Sequence, residues 1–316
     1  MVRRLLVERT SLDQCCVVFH RRLLPCAVQR NLGLMRIGAH VSTAGGPATC
    51  FDRAEAIGAE AAQIFLTPPQ QWRSSKFDDA QIAAYRERAA ASPIGEHVYV
   101  HGVYLINLAT EDEPNLNRSI GSLKSALTSC AQLGIRGVIF HLGSHKGQGL
   151  DAVFAQICRA CQNVLEATPN DAWLILENSA GAGGNIGSKF ADLGRIIREV
   201  GNDRVKVCID TQHSYAAGYD FATAEGLEIA MTEFEQEVGF DKLVAVHAND
   251  SKVELGSGRD RHENIGDGMI GVEGFRRILH HRGFQDVPFL LEVPGFGEAK
   301  GPDQPNVDLL KRLRDT

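Results

Sequence analysis

The feature of this sequence that most constrains its fold is a regular alternation of short apolar runs with longer segments of helical spacing. Eight short runs follow one another between residues 36 and 292. Such alternation is typical of a parallel sheet with helices between its strands, and eight units predict a closed (β/α)8 TIM barrel in the α/β class. The predicted strands are residues 36–41, 62–66, 98–101, 137–141, 173–177, 205–210, 243–247 and 288–292.

The segments between these runs predict helices over 78–91, 115–133, 152–165, 189–200 and 223–238. No linker rich in Pro, Gly or Ser separates the units, so residues 35–316 are predicted to form a single domain. Residues 1–34 differ, with six arginines, three cysteines and no clear period. We interpret them as an N-terminal extension, either disordered or a mis-assigned start upstream of Met35. Glu8 and Asp13 disfavour an organellar transit peptide.

The ends of the predicted strands carry most of the functional information. In a TIM barrel the C-terminal ends of all strands meet on one face, where active sites lie. A His or carboxylate at the end of a buried apolar strand is costly unless it is paired or bound to a cation. A single such residue would indicate only a hydrogen-bonded structural group, whereas six together indicate metal ligands. The six are His101, His141, Glu177, Asp210, His247 and Glu292.

Loops after two of these strands add three further candidate ligands. His213 follows Asp210 after Thr-Gln and brings one further imidazole back over the strand end, and a glycine-bearing loop after His247 supplies Asp260 and His262. Imidazole and carboxylate together suit Zn²⁺, with Mn²⁺ or Fe as alternatives. Nine ligands are too many for one tetrahedral ion and fit two or three ions with open positions. His40 and His145 lie beside strand ends and are candidates for orienting a ligand.

Charge and cysteine content constrain the function of the protein less strongly than the strand ends do. The formal net charge of −6 is not that of a typical nucleic-acid-binding domain, but three divalent cations would neutralise it. Cys158 and Cys161 form a C-x2-C pair inside a predicted helix with no second pair at zinc-finger spacing, so they are interpreted as buried thiols. Reduced thiols predict a cytoplasmic protein, and no apolar run reaches the length of a membrane span.

Seven motifs in family order give the chain from residue 36 to about 313 a resemblance to endonuclease IV, a family of zinc-dependent apurinic/apyrimidinic endonucleases. They are IGAHVSTAGG (37–46), HGVYLINLA (101–109), FHLGSH (140–145), LILENSAGAGGNIG (174–187), VCIDTQHSYAAGYD (207–220), VHANDSKVELGSGRDRHENIGDG (246–268) and LLEVPG (290–295). The resemblance implies a DNA base excision repair enzyme of the deoxyribonuclease IV (phage-T4-induced) type. Such an enzyme hydrolyses the phosphodiester 5′ to an abasic site in duplex DNA, leaves a 3′-hydroxyl and a 5′-deoxyribose phosphate, and trims blocked 3′ ends.

The resemblance also implies how three zinc ions would be held. His101, His141 and Glu177 would bind the first ion. Glu177 would bridge to the second, which Asp210, His247 and Glu292 complete. The third ion would be held by His213, Asp260 and His262. Glu177 and Glu292 would accordingly be essential for catalysis.

Loop residues on the same face are candidates for contacting DNA. Basic side chains would meet phosphates, and aromatic or apolar ones would wedge into the base stack. The candidates are Gln70, Trp72, Arg73, Tyr104, Leu105 and Arg261. In the family an arginine usually precedes the Gln-Trp pair, whereas this chain has Gln70 after Pro68 and Pro69. The absence of that charge predicts weaker or altered insertion at the lesion, with the metal chemistry unchanged.

Two other classes of protein are consistent with parts of this pattern. A xylose-isomerase-like sugar isomerase or epimerase also gathers carboxylates and histidines around metal on a TIM barrel. It would not need the third constellation of His213, Asp260 and His262, and no lysine base for sugar chemistry is evident. A non-catalytic metal- or DNA-binding barrel is disfavoured by the intact ligand set. We expect a monomer.

Overall fold

The strands form the predicted closed barrel. The computed structural model describes residues 35–73, 76–297 and 300–316, and the proposed extension over residues 1–34 lies outside this part of the chain. The barrel strands are β1 (Ile37–His40), β2 (Ala62–Ile64), β3 (Val98–His101), β4 (Gly137–His141), β5 (Trp173–Glu177), β6 (Val205–Asp210), β7 (Leu243–Ala248) and β10 (Phe289–Leu291). These eight parallel strands close in the order β1-β10-β7-β6-β5-β4-β3-β2.

A two-stranded antiparallel hairpin stands outside the barrel sheet. Its strands are β8 (Asp250–Ser251) and β9 (His262–Glu263), and it lies in the connection that follows β7. Asp250 pairs with Glu263, and Ser251 pairs with His262. The hairpin therefore fixes the base of the loop that carries Asp260.

Helices cover the outside of the barrel. They are α1 (Thr49–Ala56), α2 (Asp79–Ala91), α3 (Glu113–Leu133), α4 (Leu150–Ala167), α5 (Phe190–Val200), α6 (Thr211–Ala217), α7 (Ala224–Glu237), α8 (Gly271–His280) and α9 (Gln304–Arg314). The five helices predicted from sequence are present, with ends shifted by one or two residues. For example, α3 starts earlier than predicted because Asp112 caps it and Pro114 is tolerated in the first turn.

Three predicted strands are longer than the real ones. The run 36–41 is a strand only over Ile37–His40, the run 62–66 only over Ala62–Ile64, and the run 288–292 only over Phe289–Leu291. In each case the apolar pattern continues into the loop, because loop residues at the barrel mouth are also packed. Val41 and Val293, for instance, are buried although neither is in a strand.

The barrel interior contains a packed layer of side chains below the strand ends. This layer consists of Ala61, Tyr99, Ile139, Ile175, Cys208, Ala245 and Leu290. A second, larger apolar core lies between the strands and the helices. Filled layers of this kind close the barrel to solvent, so polar side chains at the strand ends stand on an apolar floor.

Two properties of the described residues bear on the expectations from sequence. Cys158 and Cys161 are buried free thiols on α4, as the sequence predicts. None of the helices in this part of the chain combines the length and apolar character needed to cross a membrane.

Candidate metal centre

The nine predicted ligands lie together at the C-terminal face of the barrel. Strand pairing places His141 beside Glu177 and Asp210 beside His247, so adjacent strands deliver adjacent ligands. Glu292 follows β10 directly, and its backbone N–H donates to the side-chain oxygen of Asn249 at 2.9 Å. His101 ends β3, and the last three candidates come from α6, the hairpin loop and β9: His213, Asp260 and His262.

These side chains form three groups in which the potential ligand atoms lie within 4.8 Å of one another. They are His101, His141 and Glu177; then Glu177, Asp210, His247 and Glu292; and finally Asp210, His213 and His262. Asp260 adjoins the last group, because its carboxylate oxygens lie 3.3 Å from Nε2 of both His213 and His262. Glu177 belongs to two groups, and so does Asp210.

A short helix explains how Asp210 and His213 reach the same place. Asp210 ends β6, and its Oδ1 accepts the backbone N–H of His213 at 2.8 Å. The carboxylate therefore caps α6, and the first turn of that helix returns the imidazole over the strand end. The Asp-x-x-His spacing thus serves both helix initiation and ligand placement.

Hydrogen bonds orient the imidazoles with one nitrogen directed at the centre. Nδ1 of His101, His213 and His262 lies 2.7–3.2 Å from the backbone carbonyls of Gly102, Asn178 and Glu292, respectively. A carbonyl accepts only from N–H, so this network assigns the proton to Nδ1 and leaves the Nε2 lone pair for a cation. Metal-binding histidines are characteristically oriented in this way.

Without metal the centre is a dense set of opposing charges. Burial alone would raise the pKa of the Glu177 carboxyl, yet the surrounding imidazoles, His141 foremost, lower it well below its usual value. Glu292 behaves likewise, because the His247 imidazole outweighs its burial and lowers its pKa. Conversely, burial alone would lower the pKa of His213, but Asp210 and Asp260 raise it well above the usual value. The carboxylates thus keep their charge in a buried site because positively charged groups face them, which is the environment that a cation would also provide.

The residues fit a set of divalent cations. The Nε2 atom of His262 is buried and has no hydrogen-bond partner among the described residues, while carboxylate oxygens of Asp260 and Asp210 lie 3.3 and 3.6 Å away. A buried imidazole nitrogen left unpaired beside two carboxylates is a donor set that suits a metal ion. A cavity of about 420 Å³ lies over these groups and is lined by His101, His141 and Asp260, among others.

The candidate DNA-contacting residues are placed differently from one another. Gln70, Arg73 and Arg261 are exposed, and Tyr104 is 58% exposed on the face of the metal centre. The Tyr104 ring makes edge contacts with His101 and Phe65, and its backbone N–H donates to Pro69. By contrast, Trp72 and Leu105 are half-buried and pack against the hydrophobic core. Each of these two side chains therefore packs partly against the core and stabilises the loop that carries it.

Sequence reasoning missed several polar side chains that hold the ligands. Asn249 donates to Asp210 Oδ2 at 2.7 Å, and Gln63 contacts both Glu292 and His247. The available signal for Gln63 was a single polar residue in the otherwise apolar β2. His40 was identified as a candidate for orienting a ligand, and its Nδ1 lies 3.3 Å from Glu292. His145 instead accepts backbone N–H groups of its own loop, from Gly147 and Gly149.

Comparison with known proteins assigns the family. A family model described as a xylose isomerase-like TIM barrel matches residues 51–315. A protein of Halothermothrix orenii named probable endonuclease 4 is 39% identical over 282 residues, which are 88% of this chain and 100% of that protein. The chain belongs to the endonuclease IV family. The resemblance deduced from the seven motifs is confirmed by these matches.

Solved structures give the same result. Endonuclease IV from Thermus thermophilus matches with a TM-score of 0.79 and 32% identity, covering 89% of this chain and 99% of that one. A D-tagatose 3-epimerase-like protein matches with a TM-score of 0.66 at 17% identity, covering 89% of this chain and 96% of its own. The second match shows only that the two proteins share the barrel fold.

Proposed function

We propose that this protein hydrolyses the phosphodiester 5′ to an abasic site in duplex DNA, with three zinc ions held by the nine clustered side chains. The observation that carries the proposal is the third group, in which His213 and His262 join Asp260 beside Asp210. One or two ions suffice for sugar isomerisation, whereas a phosphodiester benefits from cations on both the attacking and the leaving side. The similarity to proteins named endonuclease 4 supports the same choice.

Bound zinc would supply Lewis acidity towards the phosphate and a nucleophilic water at neutral pH. The protein would contribute by holding the ions in fixed positions and by limiting the access of water to them. Glu177 is 1% exposed and faces imidazoles from three other strands, so it is held in one position between two of the groups. His247 and Asp210 are fully buried below it. Rigid placement of this kind is what a phosphate centre requires.

The substrate would enter from the open side of the centre. Asp260, His141 and His262 are the most exposed of the candidate ligands, with side chains 58%, 32% and 19% exposed. A second cavity of about 640 Å³ reaches His262 and is lined by Tyr104, Pro68 and Lys300, among others. We propose that the lesion strand crosses this area. Tyr104 would then pack against a nucleotide, and Gln70, Arg73 and Arg261 would contact the strand at the rim.

The test is incubation of purified, zinc-loaded protein with a duplex that contains one synthetic abasic site. We expect a single incision 5′ to the site that leaves a 3′-hydroxyl, and no incision of the matched intact duplex. A second substrate with a blocked 3′ terminus tests end trimming. Failure to cut the abasic duplex, with the three ions verified, would contradict the proposal.

Two variants connect incision to the metal centre. Glu177→Gln should abolish incision, because the amide replaces a carboxylate shared by two ligand groups. Glu263→Gln is the matched control: Glu263 lies in β9 next to a ligand but pairs with Lys252 at 3.4 Å and belongs to none of the groups found among the described residues. It should retain incision. Equal activity in the two variants would refute the assignment of Glu177.

A further inference from the structure

Gln63 is an unusual residue for its place in the barrel. It is fully buried in the middle of β2, between Ala62 and Ile64. A primary amide placed there is costly unless all of its hydrogen-bonding capacity is used. An apolar side chain would pack at this position without that cost.

The amide of Gln63 makes three close polar contacts, all at the metal centre. Its Oε1 lies 2.7 Å from Nε2 of His247, its Nε2 donates to Glu292 Oε1 at 2.6 Å, and the same Nε2 lies 2.9 Å from Nδ1 of His40. The opposite amide orientation would set its oxygen against the Glu292 carboxylate, where neither atom can donate. The two hydrogens therefore point to Glu292 and His40, and the oxygen accepts from His247.

This arrangement fixes which nitrogen of His247 carries the proton. With N–H at Nε2 bonded to Gln63, the lone pair is at Nδ1, which lies 2.9 Å from Glu177 Oε1 and 3.3 Å from Glu292 Oε2. The opposite nitrogen is used in His101, His213 and His262, whose outer N–H groups meet backbone carbonyls. No substitution removes a backbone carbonyl, whereas the orientation of His247 depends on one side chain.

We propose that Gln63 is a positioning residue for one of the three ligand groups, that of Glu177, Asp210, His247 and Glu292. It sets the tautomer of His247 and the rotation of the Glu292 carboxylate at the same time. This inference rests on the metal-dependent function proposed above. Loss of such an outer partner typically weakens metal affinity by about 10- to 100-fold. The hydrogen bonds of Gln63 reach neither His141 nor His262, so the groups built on those two residues should keep their ions.

The experiment measures zinc bound per chain at graded free zinc, set by a chelator buffer. The test variants are Gln63→Leu and Gln63→Met, the second of which keeps the length of the side chain. The control is Gln156→Leu. Gln156 also donates twice, to the carbonyls of Leu108 and Thr110, but it lies on α4, away from the ligand groups. The thermal unfolding midpoint of each metal-free variant is recorded beside the zinc content.

We expect both Gln63 variants to lose one zinc of three, with an affinity about 10- to 100-fold weaker, and to regain it and their incision rate at higher free zinc. Gln156→Leu should bind zinc as the wild type does. Wild-type zinc affinity in both Gln63 variants would overturn the proposal, and so would joint loss of all three ions that added zinc does not restore. If the wild-type chain itself binds no zinc, the proposed function fails and this inference fails with it.

Discussion

Asp250 holds in place the loop that follows the hairpin, residues 264–270, and replacing it gives a sharp test of how that loop is built. The side chain is fully buried at the start of β8. Its two carboxylate oxygens accept backbone N–H groups from five residues at 2.7–3.3 Å: Ser251, Gly266, Gly268, Ile270 and Gly271. A Cβ on Gly268 would lie 2.4 Å from Oδ1, so the backbone closes tightly around this carboxylate.

Asp250→Asn preserves the shape but replaces one acceptor oxygen with an NH2 group. Because only Gly271 contacts both oxygens, either amide orientation leaves two backbone N–H groups without an acceptor. Each buried unsatisfied donor costs about 1–3 kcal/mol, so a loss of about 3 kcal/mol is reasonable for the pair. Burial raises the pKa of the Asp250 carboxyl, and relief of that desolvation offsets part of the loss. We expect a net destabilisation of about 2 kcal/mol.

Thermal unfolding followed by circular dichroism measures this effect. For a chain of this size, about 2 kcal/mol lowers Tm by roughly 4 °C. The control is Asp267→Asn, an exposed residue of the same loop. The Asp250 variant should also bind zinc more weakly at the group that contains His262, because β8 pairs with β9. A Tm within about 1 °C of wild type, with zinc binding intact, would refute this account of the loop.

Two further predictions concern pH and DNA. In the metal-free protein, burial alone would lower the pKa of His213, yet Asp210 foremost, with Asp260 and Glu177, raises it well above 6.5. A histidine whose pKa is raised on folding stabilises the folded protein fully below about pH 6.5, and this contribution is lost as the pH rises through its folded-state pKa. The metal-free protein should therefore have a lower Tm at about pH 9 than at about pH 6. Zinc-loaded protein should lack this fall, and a parallel fall in both forms would contradict the reasoning. Separately, Gln70→Arg should tighten binding to abasic duplex by about fivefold at low salt, with zinc content unchanged. Unchanged affinity in a gel-shift titration would show that this exposed position does not probe DNA.

The sequence alone was sufficient to predict the barrel and the candidate ligands, because each can be recognised within a short stretch of residues. A strand in a parallel barrel is a short apolar run, and a ligand such as Glu177 is a charged residue at the end of that run. The helix α6 was not predicted, because it starts directly at the ligand Asp210 with no intervening loop. The segments of α1, α8 and α9 were likewise not identified. They have only 8, 10 and 11 residues, and α8 contains Gly271 and Gly274.

The contacts that orient the candidate ligands could not be predicted from the sequence, for a different reason. Gln63 and His247 are 184 residues apart, and Asn249 and Glu292 are 43 residues apart. Such pairs meet only because the strand order brings β10 between β1 and β7. A buried amide in a strand also resembles an exposed one when only the sequence is read. Candidate ligands can be recognised by residue type, whereas the residues that contact them are brought there by barrel closure.

The central claim is that nine strand-end and loop side chains hold three zinc ions, and anomalous diffraction at the zinc absorption edge tests it most directly. Crystals of zinc-loaded protein should show three anomalous peaks, each about 2.0–2.2 Å from nitrogen or oxygen atoms of one group. Glu177 should contact two of the peaks. Crystals in which zinc lies elsewhere, or in which the third group around His213 and His262 carries no peak, would contradict the account.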